Sequence, residues 1–227
     1  MRVEAHAAEA LGPALAARVA RDLAAAIAAR GRAALAVPGG TTPAPFLTAL
    51  GAMDLAWAQV TVTLTDERWV PAHDARSNQR LLGETLFAGQ AAAASFVPLY
   101  TGAVEPAAAE TVLSLSLQPM LPLDVVVLGM GADRHTASLF PGSPQLEAAL
   151  APGEGRHALA VTAPGQPEPR ITLSAPVLSG ARHVYLLIRG AEKRAALDAA
   201  LAESDPRRAP IRAVLEAAHD TTVFYAD

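Results

Sequence analysis

The first strong pattern along the chain is a helical repeat of apolar residues. Between residues 13 and 30, apolar side chains recur at every fourth position and therefore share one face of a helix. They are Leu15, Val19, Leu23 and Ile27. Gly31 follows the repeat and is a typical helix stop. Later segments with helix signals are the stretch that follows Pro43, the stretch that begins at Ser77 or Asn78, Glu105 to about Gln118, Glu192 to about Ala202, and Ile211–Ala217.

Short apolar and β-branched runs between these helices predict strands. They are residues 33–37, 60–65, 95–100, 123–129, 157–162, 170–174, 183–190 and 221–225. The run "LDVVVLG" at residues 123–129 is the most typical of a strand buried on both faces. Strands that alternate with helices indicate a parallel or mixed sheet covered on both faces. The pattern therefore predicts an α/β fold with a mainly parallel sheet, as one domain over residues 1–227.

Composition and charge narrow the class of protein. The chain is 52% hydrophobic and 18% charged, which is typical of a globular protein. The net charge of −4 gives no basic footprint for nucleic acid. No cysteine is present, so disulfides, thiolate catalysis and cysteine-held metals are excluded. No signal-peptide pattern and no long apolar run is found, and we expect a soluble, cytoplasmic protein without membrane contacts.

Polar residues follow three of the predicted strands directly. The three loops are "PGGTTP" (38–43), "DERWVP" (66–71) and "GMGADRHTAS" (129–138). Ligands of open α/β sheets bind where the carboxyl ends of parallel strands meet. We therefore expect these loops to form one binding site.

The first loop has the composition of an anion cradle. Two glycines, Gly39 and Gly40, allow close approach of the backbone to a ligand. Thr41 and Thr42 offer hydroxyl donors ahead of a helix N-terminus. An ordinary tight turn with a threonine cap explains the loop equally well.

The second and third loops carry the ionisable groups. In the second, the Asp66 carboxylate could orient a catalytic partner and the Arg68 guanidinium could hold an oxyanion. A charged triplet of this kind more often forms ion pairs within its own loop. In the third, His135 is the best general-base candidate, since imidazole titrates close to neutral pH. Asp133 and Asp66 are candidates to set its tautomer. Capping of a short helix "TASLF" is the structural alternative.

Other motifs point away from several common chemistries. The glycines of "GMGADR" lack the third glycine of a dinucleotide fingerprint, which is replaced by Arg134. No G-x-S-x-G elbow and no H-E-x-x-H motif is present. Arg170 and Lys193 are two further cations that could reach the site. After these exclusions, we expect metal-free acid/base catalysis on a phosphorylated or otherwise anionic small molecule.

These blocks, in this order, resemble the 6-phosphogluconolactonases of the glucosamine/galactosamine-6-phosphate isomerase superfamily. The matching pieces are "PGGTTP", "TDERWVP", "SNQRLL", "LGMGADRHTASLFPG", "RITLS" and the lysine of "RGAEK". The resemblance implies a three-layer Rossmann-like fold and hydrolysis of 6-phosphoglucono-δ-lactone to 6-phosphogluconate in the oxidative pentose phosphate pathway. It also implies no cofactor, no metal and a small-molecule partner. We expect a monomer or a homodimer.

The resemblance also assigns roles by position. His135 corresponds to the general base that activates water, and Asp133 and Asp66 to site carboxylates. The anion-holding groups and the phosphate cradle correspond to Arg68, Arg170, Lys193, Gly39, Gly40, Thr41 and Thr42. Which cation faces the phosphate and which the oxyanion stays open.

Two positions depart from the family pattern. Arg134 stands where the family often has glycine, and Pro38 where serine is common. If the first position requires a positive φ, arginine costs about 1 kcal/mol in backbone strain. Alternatively the loop accepts a bulky residue there, and Arg134 adds a contact to the phosphate.

Two other functions compete with lactone hydrolysis. A glucosamine-6-phosphate deaminase or isomerase shares both glycine loops, but it uses an acidic residue just after the histidine, and residues 136–142 contain no carboxylate. A non-catalytic sugar-phosphate-binding protein on the same fold would be expected to lose His135 or the site carboxylates, and all are present.

Overall fold

The computed structural model describes residues 1–227. The ten strands are β1 (Arg2–Ala5), β2 (Ala33–Val37), β3 (Val60–Leu64), β4 (Asp66–Arg68), β5 (Ser95–Val97), β6 (Val125–Leu128), β7 (Ala158–Thr162), β8 (Pro169–Leu173), β9 (His183–Arg189) and β10 (Thr221–Ala226). The eight α-helices are α1 (Ala8–Arg30), α2 (Ala44–Gly51), α3 (Asn78–Glu84), α4 (Glu110–Leu117), α5 (Leu146–Leu150), α6 (Ala175–Ser179), α7 (Ala191–Ala202) and α8 (Pro210–Ala217).

The main sheet has seven strands in the order β1-β10-β9-β6-β2-β3-β5. Every neighbouring pair in it is parallel. The strands β2 and β6 are buried at every residue, as a strand covered by helices on both faces must be. The predicted α/β fold with a mainly parallel, Rossmann-like sheet is confirmed. Because the strands are parallel, the loops after β2, β3, β6 and β9 emerge at one edge, called here the carboxyl edge.

A second, three-stranded antiparallel sheet has the order β4-β8-β7. The sequence pattern predicts β7 and β8 but places them in the same sheet as the other strands, and this part of the prediction is wrong. The triplet 66–68, expected in a loop, is strand β4 of this second sheet. Strand periodicity shows which residues alternate, but it carries no information on which sheet a strand joins.

Several element boundaries differ from the prediction. Helix α1 begins at Ala8 and contains Pro13, because Leu11 already packs into the core ahead of the proline. Strand β1 is not predicted, since it is mostly exposed and shows no alternation. The predicted helix from Glu105 is a 3₁₀ turn followed by α4, and "TASLF" is not helical, since Thr136 and Leu139 form an isolated bridge instead.

The core is continuous across these elements. One cluster of 58 buried apolar residues extends from Leu11 to Ala226. Helix α1 packs on β2, β6 and β10, and α7 packs on β9. None of the helices combines the length and the apolar run that crossing a bilayer requires.

Candidate active site

A cavity of about 300 Å³ opens at the carboxyl edge of the main sheet. Nine of the site residues expected from the sequence line it: Gly39, Gly40, Thr41, Thr42, Asp66, Arg68, His135, Arg170 and Lys193. Asn78, Ala137 and Arg189 also line it, and sequence reasoning missed them. Two expected residues, Asp133 and Arg134, do not line the cavity. No group of three or more His, Cys, Asp or Glu side chains is arranged to hold a metal ion.

The glycines after β2 are required by their surroundings. Gly40 has φ 99°, a conformation that side chains rarely adopt. A Cβ on Gly39 would lie 1.8 Å from Oδ1 of Asn78. The absence of a side chain at Gly39 therefore lets Asn78 fill this position, where its Nδ2 donates to the carbonyl of Asp66 over 2.9 Å. The turn and the start of α3 are thus packed against each other.

His135 forms a dyad with Asp133. Nδ1 of His135 lies 2.5 Å from Oδ1 of Asp133, so the tautomer that donates from Nδ1 leaves Nε2 as the free base. Burial opposes ionisation of Asp133, but the hydrogen bond and charge of His135 outweigh it and hold the pKa of Asp133 below its usual value. A Cβ on Gly131 would lie 2.1 Å from Nδ1 of His135 and 2.2 Å from the Asp133 carboxylate. Glycine at 131 is therefore a condition for the dyad.

Asp66 has a different set of partners. Its carboxylate accepts from the Ser138 hydroxyl at 2.5 Å and from the Thr65 hydroxyl at 3.3 Å. Its ion-pair partner is Arg170, with Nη1 at 3.8 Å. Of the two carboxylates considered as orienting groups for His135, the structure puts Asp133 in contact with the imidazole and Asp66 in contact with Arg170.

Arg170 lies on the His135 side of the cavity. Both side chains pack on the Phe140 ring, with the guanidinium carbon 5.3 Å and the imidazole centroid 4.3 Å from its centre. Burial lowers the pKa of Arg170; the Asp66 carboxylate opposes this shift, and Arg68, which faces Arg170 across the β4–β8 ladder, adds to it. The Arg68 guanidinium donates from Nη1 to the carbonyl of Arg76 at 2.5 Å.

Glu67 does not line the cavity but connects two elements that do. It is fully buried, and its two carboxylate oxygens accept from the backbone N–H groups of Arg68, Asn78 and Gln79 and from the Ser77 hydroxyl. Burial raises the pKa of Glu67, against the effect of these four donors. The contacts join β4 to the first turn of α3 and so fix Asn78. Nothing in the sequence distinguishes Glu67 from an exposed loop charge.

Arg134 does not line the cavity, and its contact with the phosphate stays a prediction. Its φ of 70° is left-handed, which is the strained alternative considered from the sequence. Its N–H donates to the carbonyl of Gly131, and its carbonyl accepts from Ile211 at the start of α8.

The remaining cations lie at the end of β9 and just after it. Arg189 is the last residue of that strand, and Lys193 lies in the first turn of α7. Both line the cavity, and neither lies within ion-pair distance of a carboxylate. Of the four cations that line the cavity, only Arg170 pairs with a carboxylate, and Arg189 and Lys193 form neither an ion pair nor a side-chain hydrogen bond.

Known proteins resemble this chain over nearly its whole length. The sequence model of the family described as glucosamine-6-phosphate isomerases/6-phosphogluconolactonase matches residues 6–224. A 6-phosphogluconolactonase of Mesorhizobium japonicum is 51% identical over 219 residues, covering 95% of this chain and 91% of that protein. One of Rhizobium meliloti is 47% identical over 217 residues, covering 95% and 94%.

A solved structure agrees with the sequence relatives. The crystal structure of a 6-phosphogluconolactonase from Shewanella baltica superposes with a TM-score of 0.95 at 36% identity, covering 100% of this chain and 98% of that one. The agreement of sequence, fold and coverage shows the family directly: this chain belongs to the family of glucosamine-6-phosphate isomerases and 6-phosphogluconolactonases.

Proposed function

We propose that this protein hydrolyses 6-phospho-D-glucono-1,5-lactone to 6-phospho-D-gluconate in the oxidative pentose phosphate pathway, without a cofactor. The observation that carries the proposal is the His135–Asp133 dyad beside a cavity that also holds the glycine–threonine turn and unpaired cations. We also infer that it acts in the cytoplasm, as one α/β domain and as a monomer or homodimer. Its relatives that bear the name 6-phosphogluconolactonase support the assignment.

His135 is the general base in this proposal. As a water oxygen adds to C1 of the lactone, Nε2 of His135 takes a proton from that water. Asp133, hydrogen bonded at Nδ1, holds the ring in the required tautomer and stabilises the imidazolium that forms. Because the pKa of Asp133 is lowered, its carboxylate stays ionised at neutral and weakly acidic pH.

Addition of water turns the lactone carbonyl into an oxyanion. Arg170 is the cation that we assign to this charge, since it shares the Phe140 ring with His135. Its pairing with Asp66 keeps the guanidinium fixed before substrate arrives, which is the condition for electrostatic stabilisation. The C1–O5 bond then breaks, and the imidazolium returns its proton to the ring oxygen. No covalent intermediate is needed.

The phosphate end of the substrate lies at the other side of the cavity in this proposal. Thr41 and Thr42 donate hydroxyl hydrogen bonds there, and Lys193 supplies positive charge. Gly40 lets the backbone approach the phosphate oxygens closely. The deaminase alternative is disfavoured, because residues 136–142 contain no carboxylate to act in ring opening.

The direct test generates the lactone in place, because it also hydrolyses spontaneously. Glucose-6-phosphate dehydrogenase makes the lactone from glucose 6-phosphate, and its disappearance is followed with and without this protein. The expected result is a rate proportional to the amount of protein. Release of ammonia from glucosamine 6-phosphate, with no effect on the lactone, would replace the proposal with the deaminase.

A further inference from the structure

Arg189, at the end of β9, and Lys193, at the start of α7, differ from the other cations of the cavity in their partners. Arg170 faces Asp66, and Arg68 donates to a backbone carbonyl. Arg189 and Lys193 line the same cavity without an ion pair or a side-chain hydrogen bond within the chain. They therefore carry two positive charges that the fold leaves uncompensated.

Arg189 also borders the glycine–threonine turn. A second, smaller cavity of about 250 Å³ lies on the far side of this turn, against the start of α1. Four residues line both cavities: Thr41, Thr42, Leu187 and Arg189. The Arg189 side chain is thus placed at the boundary between the two spaces, beside both threonines. It is exposed and free to turn toward a bound anion.

The start of α7 adds to the positive field at this point. Gly190, with φ 90°, stands between β9 and the helix, and no side chain caps the first turn. The first N–H groups of this 12-residue helix lack intrahelical acceptors and favour a negative charge nearby. Glu192, the acidic residue of that turn, does not line the cavity.

We propose that Arg189 is a second phosphate-binding cation, which works with Lys193 as a pair on the phosphate of the substrate. This inference rests on the proposed lactonase function for the identity of the substrate, and on the two unpaired charges for the site. A phosphate monoester carries about −1.5 to −2 charges near pH 7, which two cations balance and one does not. A guanidinium can bind two phosphate oxygens at once, whereas the Lys193 ammonium acts as a point charge. Arg189 thereby favours phosphorylated over unphosphorylated lactones.

The experiment compares Arg189→Met with the wild-type protein. Calorimetric titration with 6-phosphogluconate should show about 10–100-fold weaker binding in the variant, the range expected for loss of one charge-assisted contact. In the lactone assay, KM should rise by a similar factor with little change in kcat. Hydrolysis of glucono-1,5-lactone, which has no phosphate, should be unchanged.

Arg194→Met is the matched control. It removes the same charge from a nearby position, in α7, but Arg194 pairs with Asp198 and does not line the cavity. Binding of 6-phosphogluconate should be the same in this variant as in the wild type. Equal loss in both variants would mean that net charge alone matters, and the pair on the phosphate would be overturned.

The outcomes separate this inference from the proposed function. If the wild type hydrolyses the lactone and Arg189→Met matches it in KM and in 6-phosphogluconate affinity, the role of Arg189 is wrong and the lactonase stands. If the wild type has no lactonase activity but is stabilised against heat by inorganic phosphate in an Arg189-dependent way, the lactonase fails and the phosphate site stands.

Discussion

The two edges of the main sheet differ in how their charged side chains are paired. At the amino edge, where β2 and β6 begin, buried Asp124 binds the guanidinium of Arg30, lies 3.3 Å from Arg182 and accepts the N–H of Ala34 at 2.9 Å. A third arginine there, Arg32, is exposed. At the carboxyl edge, by contrast, three cations that line a cavity, Arg68, Arg189 and Lys193, form no ion pair.

Cavity size does not distinguish the two edges. Each has a cavity of about 300 Å³. The difference lies in how the charges around each cavity are paired. At the amino edge, a buried carboxylate binds donors of the chain itself and stabilises the fold. At the carboxyl edge, cations without ion pairs and a free imidazole nitrogen are available to a ligand. The comparison predicts that substitutions at the amino edge change stability, and that substitutions at the carboxyl edge change catalysis.

The largest effect is expected from His135→Ala. Loss of general-base assistance should lower kcat by about 10²–10⁴-fold with little change in substrate affinity. The assay is lactone disappearance at fixed pH, and thermal unfolding should match the wild type. His73→Ala serves as the control, because His73 is exposed and does not line the cavity. Near-wild-type turnover of the His135 variant would remove that residue from the mechanism.

A smaller loss is expected from Gly131→Ala. The new Cβ would overlap the imidazole and the Asp133 carboxylate, both of which must shift to admit it. Displacement of a catalytic group by about 1 Å costs about 10²-fold in rate, so kcat should fall by that order. Gly83→Ala, in α3, meets no atom within 4 Å and should leave kcat unchanged. If Gly131→Ala keeps full activity, the close contact of the dyad with residue 131 is not needed for catalysis.

The parts of the site that sequence could predict are local. The loops that contain His135 and residues 39–42 follow apolar strands, and the parallel-sheet rule brings such loops together without knowledge of packing. For the same reason the α/β class and most strands are predictable from periodicity. A positive φ at Arg134 can also be anticipated from the sequence, because it depends on the pattern of one loop.

The parts that sequence could not predict depend on pairing across the fold. Ser138 reaches Asp66 because the loop after β6 contacts β4 and β8 of the second sheet, and Asn78 fills the space that Gly39 leaves. Glu67 gains its role from burial under α3. Arg189 looks like the end of an ordinary strand until the cavity is in view. These contacts join residues far apart in the chain, and no local pattern encodes them.

The amino edge can be tested with Asp124→Ala. This change leaves the buried N–H of Ala34 without its acceptor and removes the partner of Arg30 and Arg182. We expect a loss of about 1–3 kcal/mol in the free energy of unfolding, measured by denaturant titration, with an unchanged KM. Asp54→Ala, at an exposed position, should change neither quantity. A large rise in KM for the Asp124 variant would contradict the division between the two edges.

The smallest effect, and the only gain, is expected from Arg134→Gly. Arginine at φ 70° carries about 1 kcal/mol of backbone strain, which glycine relieves, while the greater freedom of glycine in the unfolded chain offsets part of the gain. A net stabilisation of about 0.5 kcal/mol or less should therefore appear in denaturant titration. Arg134→Ala separates the causes, since it removes the same charge but keeps a side chain at positive φ, and it should not stabilise. Because Arg134 lies outside the cavity, neither variant should alter kcat or KM. A rise in KM in both variants would instead place the guanidinium on the substrate phosphate, and Arg134 would join the cations that bind the ligand.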